Sequence, residues 1–192
     1  MGSGLHVLLL LAAAYSLFGV VILIHELGHA VAFRWASPKP ITVVVGQAGR
    51  SITLRFAKWD FRIHAGLNAG RCVSDKTGLT VGQLRRIGYA GASASAIGCL
   101  GFAALAFATQ GEDRVMGQLL MGASIVSLSV ALSSLVSSPI RGKSTDGSRM
   151  HALKNLPRDS VLHPMGPNVT EISRGSIPPP QAELGRNPAD NW

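Results

Sequence analysis

The sequence predicts an α-helical integral membrane protein, a three-helix transmembrane core with a small antiparallel β-sheet inserted after the first helix. Three observations predict it. Charged residues make up 15% of the chain and hydrophobic ones 47%, whereas about a quarter of a soluble domain is charged. The apolar residues are also gathered into runs: no Asp, Glu, Lys or Arg occurs over residues 1–24, 87–110 or 115–140. Each run exceeds the roughly 20 residues that an α-helix needs to cross a hydrocarbon core about 30 Å thick. Between the first and second runs the hydrophobic period changes from helical to two-residue, the mark of strands.

The formal charge of +8 invites a nucleic-acid partner, so the placement of the charges decides. Ten of the 18 Lys and Arg lie over residues 34–86, seven from Arg141 onward, and only Arg114 in the short connection between the second and third runs. That asymmetry is the positive-inside pattern. It predicts a multi-pass protein of the cell membrane, N-terminus outside and C-terminus cytoplasmic, whose partner is the lipid bilayer and not nucleic acid. A cleaved signal peptide would begin with a basic residue and end in a small-residue cleavage site; here His25-Glu26-Leu27-Gly28-His29 follows the first run directly. Of the two cysteines, Cys99 falls in an apolar run and Cys72 on the basic side, where thiols stay reduced. No disulfide is expected, and no zinc-finger spacing exists, so a metal would be held by His and carboxylate.

Taken in order, the first helix is expected over 5–35, stopped by Ser37-Pro38-Lys39-Pro40, because proline ends helical hydrogen bonding. A three-stranded antiparallel meander is expected over 41–66, from β-branched Ile41 to Val45 and from Ile52, Leu54 and Phe56, then Phe61 and Ile63, alternating with polar residues. Residues 69–78 have loop composition, and 79–86 form an interfacial lead-in with Arg85 and Arg86 at the headgroups. The second helix, 87–109, is rich in small residues such as Gly88, Gly91, Ser95 and Gly98, which let backbones approach in lipid. It should be the central packing partner. The third helix is expected over 116–138, ending at Pro139. Residues 1–150 then form the membrane-embedded core, and 151–192, with Ile177-Pro178-Pro179-Pro180, a disordered cytoplasmic tail.

His25 and His29, four apart on a helix, project about 40° from each other and one turn apart, so both imidazoles can reach one metal ion. A catalytic zinc usually takes three protein ligands and leaves a position for water. Glu26 puts a carboxylate beside that water, where it can take a proton. The bland alternative makes His25 and His29 helix-end residues near headgroups. Against it, a carboxylate at that depth is costly unless it faces a polar cavity or a cation. A third ligand must come from elsewhere. Asp146, past Pro139, could fold back to the first helix, but an ordinary Asp-Gly turn explains Asp146-Gly147 equally well. His6, His64, His151 and His163 have no partner spacing, Glu112 is expected on the opposite side of the membrane, and Glu171 lies in the tail.

An HExxH sequence in the first membrane helix, a β-rich segment after it, a small-residue helix and a late Asp-Gly past a proline together resemble the site-2 protease family. Its members are membrane-embedded zinc metalloproteases that cleave transmembrane substrates. The resemblance covers roughly residues 5–150 and is sharpest at His25 to His29 and Asp146-Gly147. It implies that His25, His29 and Asp146 bind one Zn2+, that Glu26 is the catalytic base, and that the substrate is a membrane-anchored protein. Where the family usually has Ala-Gly-Pro-x-x-Asn, this chain has Ala90-Gly91-Ala92-Ser93-Ala94-Ser95. Ser95 is then the candidate to replace part of the substrate-positioning role of the missing Asn. The lost Pro and Asn also admit an alternative, a catalytically silent membrane adaptor that retains the protease fold; the intact Glu26 speaks against it. Membrane desaturases and hydroxylases need several His-rich clusters, whereas only one suitably spaced pair occurs among the 6 histidines here.

Overall fold

The structure, a computed structural model, describes residues 2–47, 49–136, 146–165 and 169–173. Helix α1 spans Gly2–Ala36, α2 Val81–Thr109 and α3 Arg114–Leu135, and all three are long and apolar enough to cross a membrane. Their outward faces carry large apolar side chains, with Leu8 65%, Ile97 71% and Leu100 72% exposed. Inside, α2 and α3 bury small residues, among them Gly91, Ala92, Ser95, Ser124 and Ser127. Large side chains outward and small ones inward is the packing of helices whose surroundings are apolar. Hydroxyls stitch the seam, Ser127 Oγ donating to the Ser95 carbonyl at 2.7 Å and Ser124 Oγ to that of Cys99 at 2.9 Å. As expected, α2 is the central partner, packing more extensively on α1 and on α3 than these do on each other. It runs antiparallel to α1: Gly28 faces Ala90 and Ala94, Ile24 faces Gly98, and Val21 packs with Phe102.

The boundaries of α2 and α3 differ from those expected. Helix α2 starts at Val81, not 87, because Thr80 and Gln83 form a capping box: the Thr80 hydroxyl accepts from the Gln83 amide at 3.2 Å, and the Gln83 side chain accepts from the Thr80 amide at 2.8 Å. These bonds satisfy amides that a helix start leaves without partners. The lead-in over 79–86 is therefore mostly helix. Asp113 caps α3 through the amides of Val115 and Met116, both at 3.0 Å, so that helix begins at 114. The expected stop at Pro139 lies outside the described residues.

The sheet departs from the antiparallel meander. Strands β1 (Ile41–Val45), β2 (Ser51–Phe56), β3 (Trp59–His64) and β4 (Gly70–Ser74) form a mixed sheet in the order β2-β3-β1-β4. Strand β1 pairs parallel to β3 and antiparallel to β4. The reason is visible in β1, where Ile41, Val43, Val44 and Val45 are all buried and only Thr42 is polar and half-buried; a strand apolar on both faces belongs in the middle of a sheet. Gly46 and Gly49, both at positive φ, lead the chain out of β1 before it returns as β2. Strand β4 lies where a loop was expected over 69–78, its glycine and arginine having hidden it. At its far end the sheet is tied to the middle of α1, for the Tyr15 hydroxyl donates to the Ala65 carbonyl at 2.9 Å and accepts from the Leu67 amide at 2.7 Å.

Regular structure also continues past residue 150, where a tail was expected. Helix α4 spans Asp146–Leu153, and β5 (Val161–Met165) pairs antiparallel with β6 (Val169–Ser173). The proline-rich stretch at 177–180 lies outside the described residues.

Candidate metal centre

Three sequence-predicted residues meet. One donor atom from each of His25, His29 and Asp146 lies within 4.8 Å of the others. Both histidines are buried on α1, roughly 10 to 17 Å along the helix axis from its C-terminal end at a rise of about 1.5 Å per residue. Asp146 comes from the first turn of α4. Its Oδ2 stands 2.9 Å from His29 Nε2 and 3.4 Å from His25 Nε2, and the two imidazoles lie edge to face with centroids 4.9 Å apart.

The outer nitrogens explain the orientation. His29 Nδ1 lies 2.7 Å from the Ile87 carbonyl, which can only accept, so this nitrogen carries the hydrogen and Nε2 of the neutral ring presents a lone pair. His25 Nδ1 lies 2.9 Å from Ser95 Oγ. Ser95, singled out in the sequence for substrate positioning, is fully buried beneath His25. Such outer partners fix the tautomer and direction of metal-binding histidines.

Asp146 sits where it does because of Gly147. The pair is not a turn: Gly147 is helical and not among the glycines at positive φ. A Cβ at Gly147 would stand 2.6 Å from the Leu135 carbonyl oxygen and 2.8 Å from the Val136 carbonyl carbon. Only glycine lets the start of α4 approach the end of α3 so closely. Gly91 does the same service on α2, since a side chain there would enter the His29 ring.

Burial acts to raise the pKa of Asp146, but hydrogen bonds to His25 and His29 outweigh it and hold the carboxyl below the ordinary range. Those bonds need a hydrogen on the imidazole nitrogen; with the His29 ring neutral and its hydrogen on Nδ1, the carboxylate would instead face a lone pair at 2.9 Å. Two acceptors so close require a cation or a proton between them. Two imidazole nitrogens and a carboxylate oxygen are donors that a metal ion such as zinc takes, and these residues fit such an ion.

Glu26, also buried, turns towards β4. A Cβ on Gly70 would stand 2.7 Å from its Oε1, so the absence of a side chain at Gly70 makes room for the carboxylate. Glu26 interacts electrostatically with His25, His29 and Asp146 and faces the Cys72 amide. Burial, and then Glu26, push the Cys72 thiol up to about 12, which keeps it protonated and unsuited to bind metal.

The remaining histidines stay outside the site: His6 and His151 are exposed, and His64 keeps a buried Nδ1 without a hydrogen-bond partner. The side chain of His163 lies outside the described residues. The residue sequence reading missed is Gly70, whose only signal is a glycine inside a short alternating stretch. No known protein-family model matches this chain, and no curated protein matches it either.

Proposed function

We propose that the protein is an intramembrane zinc metalloprotease that hydrolyses peptide bonds of membrane-spanning substrates. The observation that carries this reading is the convergence of His25, His29 and Asp146 at a buried point beside the carboxylate of Glu26. A zinc ion held by those three side chains would supply Lewis acidity towards water and towards a peptide carbonyl. Glu26 takes the proton of the attacking water and returns it to the leaving amine. Ser95 and the Ile87 carbonyl hold the imidazoles in place, and the surrounding helices limit water to the site.

Three apolar helices with outward leucines and isoleucines support insertion in the cell membrane, and the distribution of Lys and Arg supports an outside N-terminus and a cytoplasmic C-terminus. A substrate helix satisfies its own backbone and must unwind before its carbonyl can be attacked. Strand β4 is a sheet edge lying against Glu26, and an unwound segment can add to it as a further strand. Proline at Ser74, whose amide shares the outward side with that of Cys72, should slow cleavage and leave metal content unchanged. Unimpaired cleavage would remove this docking mode.

The decisive experiment is turnover of single-span reporter peptides in liposomes by wild type and Glu26→Gln. The protease reading expects cleavage by the first and at least about 100-fold slower cleavage by the second. Cleavage by neither would favour the adaptor that keeps the fold without the chemistry, and equal cleavage by both would remove Glu26 as the base.

A further inference from the structure

Arg85 was expected at the lipid headgroups, and its neighbour Arg86 is exposed, but Arg85 is half-buried and turned inward. Its Nη2 lies within hydrogen-bonding reach of three carbonyls at and just beyond the end of α4: Leu153, Lys154 at 2.7 Å and Leu156 at 3.1 Å. Two amides of the same α2 turn complete the attachment, Val81 donating to the Ser160 carbonyl and Gly82 to that of Arg158, both at 2.9 Å. An isolated bridge joins Thr80 to Val161. The start of α2 thus grips the chain over residues 153–161.

Helix α4 has eight residues, too few to hold its shape alone, since isolated helices shorter than about 12 residues are marginal in water. Its final carbonyls need donors, and a cation at that end suits the helix dipole. Arg85 supplies both. Asp146 occupies the other end of the same helix, roughly 10 Å away at 1.5 Å per residue, so Arg85 does not touch the donor cluster. Between them, Met150 packs over Gly88 of α2.

We infer that Arg85 is a positioning residue for the metal centre: by clasping the C-terminal end of α4 to the first turn of α2, it sets where Asp146 stands relative to His25 and His29. The inference rests on the metal reading given above. It also assigns residues 153–161 a part in the site, although they lie beyond the end of the core that the sequence suggests.

The test is Co2+ binding to the purified full-length chain in detergent, followed by the visible spectrum of the bound ion and by competition with Zn2+. Arg85→Met should weaken affinity by about 10- to 100-fold, the range for outer partners of metal ligands, and move the cobalt spectrum towards that of Asp146→Ala. Arg85→Lys, which can still donate to carbonyls, should recover part of the loss. Because Arg85→Met could also disturb folding, a second variant adds Gly88→Cys and Met150→Cys to it; a Cβ at Gly88 would stand 2.8 Å from Met150 Cγ, the place a sulfur at position 150 would take, so the two thiols can meet. Oxidation of that pair should restore affinity and spectrum, and reduction should abolish the recovery. Wild-type affinity in Arg85→Met, or no recovery on oxidation, would overturn the inference while leaving the metal centre standing. A wild-type chain that takes up neither metal would overturn the centre itself and this inference with it.

Discussion

His25 Nδ1 lies 2.9 Å from the hydroxyl of Ser95, which is fully buried in the seam between α1 and α2. The contact leaves His25 Nε2 directed at Asp146. If Ser95 orients this ligand, Ser95→Ala lowers zinc affinity by about tenfold or more, read by competition with a chromogenic chelator. If the hydroxyl serves the substrate instead, affinity stays at the wild-type value and only turnover slows.

Gly70→Ala separates chemistry from metal binding. The added methyl group has no room beside Glu26 and Ile22, so it displaces the carboxylate and leaves the three donor side chains alone. A displacement of about 1 Å can slow a reaction on the order of 100-fold. Reporter cleavage should fall by about that factor with zinc content unchanged, measured on the same preparation.

Gly147→Ala should do the opposite. Its methyl group meets backbone of Leu135 and Val136, which cannot rotate away as a side chain could. Overpacking of this kind costs about 1–3 kcal/mol, and the relief available is to move α4 and Asp146 with it. Thermal unfolding in detergent should show the loss of stability, and metal analysis a loss of zinc.

The chelator-treated protein should be sensitive to acid through Asp146. Its carboxyl is held below the ordinary range in the folded protein, so its contribution to stability is complete above the unfolded value of about 3.9 and fades as pH falls below it. Asp146→Asn should flatten that part of the profile. Melting temperatures of the two metal-free proteins between pH 5 and pH 2 would reveal the difference; parallel curves would mean that the carboxylate makes no such contacts.

Local chemistry was legible in the sequence, and long-range placement was not. His25, Glu26 and His29 declare themselves because one helical turn brings them together. Asp146 lies 121 residues from His25, and its approach depends on Gly147 having no side chain against α3, a condition that looks like an Asp-Gly turn when read locally. The strands showed their two-residue period, but pairing depends on which strand is buried: β1 lies at the centre because four of its five residues are apolar and buried, and β4 was hidden by Gly70 and Arg71. Thr80 and Gln83 carried the start of α2 in plain view as a capping pair. The paired arginines read as a membrane boundary, whereas one of them reaches across to α4.

Metal content tests the central claim most directly. Wild type, His25→Ala, His29→Ala and Asp146→Ala, purified alike without added metal and analysed by plasma mass spectrometry, should give one zinc ion per wild-type chain and a large loss in every variant. Zinc retained in full by Asp146→Ala, or a wild-type chain that carries none and takes up none when offered it, would contradict the account.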